Sequence, residues 1–195
     1  MPGTARETDA EEARPGRVVM ALVAIVFAPM VLEQRRAARN ERAQRARGAI
    51  EPAGDVYNAM RFAYPAAFAA MIGERFLRGP APAPALVAGA ALFAAAKVLK
   101  WWAVWTLGDA WTFRVLVIPG ERLVSAGPYR WLRHPNYVGV VGELVGTALM
   151  AGAAVAGPIA TLAFGALIRR RIAVEERALV AAQSTPAASK QIANC

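Results

Sequence analysis

Cysteine and histidine are almost absent from this sequence. The one cysteine is the last residue, Cys195, and the one histidine is His134. A disulfide framework is therefore excluded, and because no set of thiolates and imidazoles can form, we expect no zinc or other metal site. The sequence also has no glycine-rich dinucleotide-binding motif.

Acidic residues are scarce as well, 14 against 23 lysines and arginines, which leaves a net charge of +9. Only 19% of the residues are charged, whereas 56% are hydrophobic, and the mean hydropathy is +0.31. Such a chain is too apolar for an ordinary soluble domain, so a membrane is its expected solvent. Because most arginines lie beside apolar segments, we expect them to face anionic lipid head groups and not nucleic acid.

Uncharged or nearly uncharged apolar runs predict an all-α membrane protein with about five transmembrane helices. The predicted spans are residues 18–34, 56–73, 85–106, 137–152 and 155–170. The last two belong to one apolar run that is too long for a single span and is broken by Gly152, Gly157 and Pro158.

Arginine-rich segments predict the orientation of these spans. One such segment runs from Arg35 to Arg47, and another is residues 169–171. The positive-inside rule places both in the cytoplasm, with the N-terminus outside and the C-terminus inside. The spans then form one domain, residues 18–180, between a polar leader (1–17) and a tail (181–195) that are both predicted to be disordered.

The most informative stretch runs from Gly127 to Gly139, GPYRWLRHPNYVG, and leads from a polar loop into the fourth span. Pro128 and Pro135 fix φ and disfavour helix in the residue before them, so irregular backbone is predicted until Asn136 or Tyr137. Backbone N–H and C=O groups left free there, surrounded by Tyr, Trp, Arg and His side chains, favour a ligand site.

His134 could act as a base or hydrogen-bond donor in such a site, or make a structural hydrogen bond at the helix entrance. Arg171 and Glu175 follow the last span at a spacing of four residues, so they share one helical face. They leave the membrane on the predicted cytoplasmic side, as the His134 loop does. We therefore expect the two segments to close over one pocket at that interface.

Glu143 lies inside the predicted fourth span, where a carboxylate is costly. It is either a functional group or the structural partner of a cation such as Arg61 or Lys97, and the sequence leaves both interpretations open. The neighbouring glycines, Gly142-x-x-x-Gly146, have a spacing that allows close packing of membrane helices.

Taken together, these motifs resemble the isoprenylcysteine carboxyl methyltransferase family of integral membrane methyltransferases. The likeness extends over about residues 100–180. It depends on Gly127-Pro128-Tyr129, Arg133-His134-Pro135-Asn136-Tyr137, Gly139 and Arg171-x-x-x-Glu175-Glu176-x-x-Leu179. The resemblance implies S-adenosylmethionine as the cofactor, bound in a pocket at the cytoplasmic face. In a chain of this composition, it also implies a multi-pass protein of a bacterial inner membrane.

The implied cofactor contacts are Leu123, Val124, Tyr129, His134, Pro135, Asn136, Tyr137 and Glu175. Arg171 falls where the family has an arginine near the acceptor. The implied acceptor is a lipophilic molecule with a carboxyl or hydroxyl oxygen, such as an alkylpyrone or alkylresorcinol. A hydroxyl would need a base, for which His134 and Glu143 are the candidates. After Leu179 the chain lacks the aromatic, proline-containing closing segment of the family.

Three alternative functions stay open at this stage. A membrane reductase of the sterol reductase type, using NADPH, has a similar C-terminal His-Pro loop and several spans. A phospholipid N-methyltransferase differs from the first hypothesis only in its acceptor atom. A non-catalytic scaffold would use its basic loops to bind lipids or other partners. The oligomeric state is not predicted by any feature of the sequence.

Overall fold

In the computed structural model, residues 4–184 are described, with side chains from residue 16 to residue 182, and this part of the chain forms five α-helices and no strand. The helices are α1 (Thr4–Ala46), α2 (Tyr57–Arg78), α3 (Ala83–Leu107), α4 (Pro135–Ala151) and α5 (Ala156–Ser184). The prediction of an all-α protein is confirmed. Each helix also overlaps one of the predicted spans.

The first and last helices extend beyond the predicted spans. α1 begins at Thr4, so it includes most of the predicted leader, and it continues through the arginine-rich segment to Ala46. From Leu32 to Ala46 the sequence is rich in Ala, Arg, Glu and Gln and has no Gly or Pro, which explains why the helix does not stop at the end of the apolar run. α5 includes residues 181–184, and the rest of the predicted tail lies outside the described residues.

Among the described residues, two helical segments are long and apolar enough to cross a membrane, Gly16–Ala46 and Ala83–Ala110. Their most apolar windows have mean hydropathies of 2.0 and 1.5, and only 22% of each window is buried. A core helix of a soluble protein would be mostly buried. Large apolar side chains are also exposed on the other helices, for example Phe62, Phe76 and Leu162. This outward apolar surface is typical of a protein surrounded by lipid.

α3 and α4 pack against each other in opposite directions with their backbones very close. A Cβ atom added at Gly146 would lie 2.8 Å from the backbone nitrogen of Phe93 and 2.9 Å from the carbonyl oxygen of Gly89. One added at Gly142 would lie 2.7 Å from the Cβ atom of Ala96. The two glycines of the GxxxG spacing therefore lie in a helix contact, as the sequence predicts.

α4 and α5 form a hairpin whose turn is held by α2. Gly152 ends α4 in the left-handed conformation, with φ of 67°. The Glu74 carboxylate near the end of α2 accepts hydrogen bonds from the backbone N–H groups of Val155 (3.1 Å) and Ala156 (2.6 Å). A carboxylate is well placed there because the first N–H groups of a helix have no partner within it.

A cluster of four charges, three of them buried and that of Lys97 partly buried, joins α1, α3 and α4. Lys100 Nζ lies 2.6 Å from a Glu33 oxygen and 3.4 Å from a Glu143 oxygen. Lys97 Nζ lies 3.1 Å from Glu33 and 3.0 Å from Glu143. The Tyr64 hydroxyl of α2 donates a hydrogen bond to Glu143 as well. Two carboxylates and two ammonium groups thus balance one another, and we call these four residues the charge cluster.

Two long connections, residues 47–56 and 108–134, lie together at one end of the bundle, which we call the loop end. Ile50 and Val117 exchange backbone hydrogen bonds of 2.9 and 3.0 Å, which form a single antiparallel bridge between the connections. The Asn40 amide of α1 donates to the carbonyl oxygens of Gly108 (2.9 Å) and Trp111 (2.8 Å). These contacts fix the second connection against α1.

The substitution Gly146→Ala is expected to lower the midpoint of thermal unfolding in detergent. The new methyl group would meet backbone atoms that cannot rotate away, and overpacking of this kind costs about 1–3 kcal/mol. Gly165→Ala on α5 is the matched control because a Cβ atom there meets nothing within 4 Å. The control should keep or raise the midpoint, since alanine favours helix over glycine by about 1 kcal/mol. Equal midpoints for the two variants would contradict the close contact of α3 and α4.

Candidate active site

A cavity of about 360 Å³ opens among α1, α2, α4 and α5, and its wall is mainly apolar and aromatic. We call it the apolar cavity. Its lining includes Phe27, Met30, Val31, Met60, Phe62, Tyr64, Phe113, Val140 and Phe164. Glu33 and Lys100 of the charge cluster, together with Arg61, are charged residues in its wall. Val31 and Phe62 are also exposed at the protein surface, so this cavity has apolar side chains at its mouth.

A second cavity, of about 460 Å³, lies at the loop end and has a more polar wall. We call it the polar cavity. It is enclosed by the connection between α3 and α4, by the start of α4 and by α5 beyond Ile168. Its polar lining includes Gln44, Arg114, Ser125, Tyr129, His134, Glu175 and Glu176.

The apolar and polar cavities share part of their walls. Trp111, Thr112, Asn136, Tyr137 and Arg171 line both, and we call these five residues the seam. The two cavities therefore lie side by side at these residues, and molecules bound in them would come near each other there. The seam is therefore where a group could pass between two bound molecules.

A continuous set of hydrogen bonds runs through the seam. The Nε group of Arg171 donates to the Tyr137 hydroxyl at 2.8 Å, and that hydroxyl donates to a Glu175 oxygen at 2.9 Å. The Nη1 group of Arg171 donates to an Asp55 oxygen at 3.0 Å. The Arg171 side chain is only 6% exposed, so the pairing compensates for a buried charge.

The local sequence explains how the loop before α4 takes its shape. Gly127 has φ of 55°, and a Cβ atom there would overlap the Thr106 hydroxyl, so glycine is required on both grounds. A short 3₁₀ turn follows at Gly127–Arg130. α4 begins at Pro135, which suits the first position of a helix because it has no N–H to satisfy. The backbone is thus irregular almost as far along the chain as the prolines predict.

Seven of the eight residues implied as cofactor contacts line the polar cavity. They are Leu123, Val124, Tyr129, His134, Asn136, Tyr137 and Glu175. Pro135 is the exception, because it is fully buried and begins α4. Arg171 lies in the seam, so the structure brings it together with the implied cofactor contacts.

His134 lies in the wall of the polar cavity and not in that of the apolar cavity. Its ring stacks on that of Tyr137 with centroids 5.6 Å apart, and its Nε2 atom is 3.4 Å from a Glu176 oxygen. Burial, with a smaller effect of the Glu175 carboxylate, raises the pKa of Tyr129. The Tyr129 hydroxyl therefore stays protonated at neutral pH.

Glu143, the third predicted catalytic residue, lines neither cavity. Its carboxylate lies in the charge cluster, between Lys97 and Lys100. Of the two interpretations that the sequence leaves open, this position favours the structural one. Lys97 is one of the cations suggested from the sequence, whereas Arg61 is exposed and contacts the rings of Tyr57 and Phe62 instead.

Three residues of the site and its surroundings were missed from the sequence: Asp55, Glu33 and Lys100. Asp55 follows Gly54 in a connection with no motif, and Glu33 falls at the end of a predicted span. The one available signal was that each charge lies at or inside the boundary of an apolar run, where a partner is expected. No group of three or more His, Cys, Asp or Glu residues suited to a metal ion is found among the described side chains.

The sequence model of the isoprenylcysteine carboxyl methyltransferase family matches residues 89–181. The chain belongs to this family. Residues 89–181 include most of α3, the connection that encloses the polar cavity, all of α4, and α5 through Ala181. This match confirms the resemblance that the motifs indicate. Isoprenylcysteine carboxyl methyltransferases are integral membrane methyltransferases.

Similar proteins of this kind occur in bacteria. The uncharacterized protein YpbQ of Bacillus subtilis (strain 168) is 31% identical over 158 residues, which cover 81% of this chain and 94% of that protein. An uncharacterized protein of Haemophilus influenzae is 24% identical over 142 residues, 72% of this chain and 83% of that protein. No solved structure matches the chain significantly.

Tyr137→Phe is expected to lower the midpoint of thermal unfolding, because it leaves the Nε group of Arg171 and an oxygen of Glu175 without their partner. A buried polar group that loses its hydrogen bond costs about 1–3 kcal/mol. Tyr57→Phe is the control, since Tyr57 contacts Arg61 and Arg114 through its ring, which phenylalanine keeps. Differential scanning fluorimetry in detergent compares the two; an equal effect on both midpoints would show that the Tyr137 hydroxyl is not a structural link.

Proposed function

We propose that this protein transfers a methyl group from S-adenosylmethionine to a carboxyl or hydroxyl oxygen of a lipophilic substrate in the membrane. The observation that supports this most is the seam. There Asn136, Tyr137 and Arg171 are shared by a polar cavity, suited to the cofactor, and an apolar cavity, suited to a lipid tail.

The residues of the polar cavity fit the cofactor. The Oδ1 atom of Asn136 is buried and has no hydrogen-bond partner among the described residues, so it can accept an N–H of a bound molecule. Glu175 has carboxylate oxygens that can accept from ribose hydroxyls or an amino group. The rings of Tyr129, His134 and Tyr137 offer flat faces for packing. When bound, S-adenosylmethionine supplies an electrophilic methyl group on a sulfonium sulfur. When the methyl group is transferred, the sulfur becomes the neutral thioether of S-adenosylhomocysteine.

Arg171 is suited to orient the acceptor. A guanidinium has five N–H donors, of which two are used by Tyr137 and Asp55. The others can bind an anionic oxygen at the seam, where the acceptor must be held in line with the methyl group. His134 lines only the polar cavity and Glu143 lines neither. Because neither predicted base faces the apolar cavity, an acceptor that arrives as an anion, such as a carboxylate, is favoured over a hydroxyl.

We further propose that all five helices cross a bacterial inner membrane, with the loop end in the cytoplasm. The basic residues support this orientation, since Arg35, Arg39 and Arg42 on α1 and Arg169 and Arg170 on α5 are exposed. The cofactor would then enter the polar cavity from the cytosol. The acceptor would enter the apolar cavity from the lipid, with its tail among aromatic side chains.

Isothermal titration of the detergent-solubilised protein with S-adenosylhomocysteine tests the cofactor. The wild type is expected to bind, and Glu175→Gln and Asn136→Ala should each weaken binding by about tenfold, which corresponds to the loss of one good hydrogen bond. Arg170→Gln is the control, because Arg170 is exposed and lines neither cavity, and it should bind as the wild type does.

A folded wild-type protein that does not bind S-adenosylhomocysteine would contradict the proposal. Titration with NADPH would follow, and binding there would support the reductase alternative. If the wild type binds but Glu175→Gln and Asn136→Ala bind equally well, the cofactor occupies a place other than the polar cavity.

A further inference from the structure

We propose that Asp55, in the connection between α1 and α2, is a positioning residue that holds Arg171 at the seam. This inference rests on the proposed methyl transfer, because it concerns the arginine that would orient the acceptor. Asp55 itself lines neither cavity, so it can affect transfer only through the residue that it holds.

The Asp55 carboxylate has three hydrogen-bond donors from three different parts of the chain. Its Oδ1 atom accepts from the N–H of Tyr57 at 3.1 Å and from Nη1 of Arg171 at 3.0 Å. Its Oδ2 atom accepts from the N–H of Val115 at 2.9 Å. The side chain is only 4% exposed. Both oxygens are therefore engaged, and an amide in place of the carboxylate could not accept on both sides.

Arg171 is consequently held from two directions. Asp55 binds Nη1, and the Tyr137 hydroxyl binds Nε. The guanidinium is planar and rigid, so two such bonds fix the directions of its remaining N–H groups. A lysine at this position would keep the charge but could not make the same pair of bonds in one plane.

The Val115 contact fixes the position of the Asp55 carboxylate itself. Val115 belongs to the connection that encloses the polar cavity, and it lines that cavity. One carboxylate thus joins the wall of the polar cavity to the arginine of the seam. We expect this to keep the acceptor-binding N–H groups at a fixed distance from the cofactor, without contributing directly to the affinity for the cofactor.

The first test is methyl transfer by the full-length protein in detergent. It uses radiolabelled S-adenosylmethionine and, as the acceptor source, a total lipid extract of Bacillus subtilis, which has a similar protein. Asp55→Asn is expected to lower kcat by about 10–100-fold, as misplacement by about 1 Å does, while KM for S-adenosylmethionine stays within about threefold. Asp109→Asn should leave both constants unchanged, because the Asp109 side chain is exposed and lines neither cavity.

A double-mutant cycle separates positioning from a general effect on structure. If Asp55 acts only through Arg171, the double variant Asp55→Asn/Arg171→Lys should transfer methyl groups no more slowly than Arg171→Lys alone. Losses that multiply in the double variant would overturn the proposal. So would a kcat for Asp55→Asn equal to that of the wild type, or a loss expressed entirely in KM.

A second readout does not depend on the acceptor. In protein labelled with ¹⁵N-arginine, the Nε signal of Arg171 is identified by its absence from Arg171→Lys. The signal is expected to move in Asp55→Asn and to stay in place in Asp109→Asn. If the wild type binds S-adenosylhomocysteine but methylates nothing in the extract, the Nε signal of Arg171 alone tests whether Asp55 positions Arg171. An unchanged signal in Asp55→Asn would overturn the proposal. A wild type that neither binds nor transfers would instead contradict the proposed function.

Discussion

Burying charge among apolar helices is costly, and the need to pair such charges determines how this bundle is assembled. The charge cluster links α1, α3 and α4 through ion pairs of 2.6 to 3.4 Å. At the loop end, Asp55 and Arg171 form another buried pair at 3.0 Å. Loss of one partner from such a pair leaves an uncompensated buried charge, which typically costs about 3–5 kcal/mol. Arg171 of this second pair belongs to the seam, which the two cavities share.

The charge cluster and the Asp55–Arg171 pair have different consequences for function. The charge cluster lies deeper in the bundle, since Glu143 is six residues, or about 9 Å, along α4 from Tyr137. Its contribution is to fix helices and to place Glu33 and Lys100 in the wall of the mainly apolar cavity. The pairing at the loop end instead leaves N–H groups of Arg171 available at the seam. We therefore expect methyl transfer beside Arg171, because its buried guanidinium is held in place and still has N–H groups that can bind an acceptor.

The sequence predicted those parts of the protein that depend on neighbours in the chain. Apolar runs indicated the helices, the Gly142-x-x-x-Gly146 spacing indicated a close helix contact, and the four-residue spacing of Arg171 and Glu175 indicated a shared face. Asp55 could not be found in this way, because it lies 116 residues from Arg171 and has no motif around it. Glu143 could be recognised as a buried charge that needs a partner. Lys100 could not be selected as that partner, because the two residues are 43 positions apart in the sequence.

The central claim is that the cofactor and the acceptor occupy different cavities that meet at one seam. Two matched variants, Val124→Cys in the polar cavity and Val31→Cys in the apolar cavity, each in a Cys195→Ser background, test it by the rate of labelling with N-ethylmaleimide. S-adenosylhomocysteine should slow labelling of Val124→Cys and leave that of Val31→Cys unchanged. Equal slowing of both variants, or slowing of Val31→Cys alone, would contradict the account.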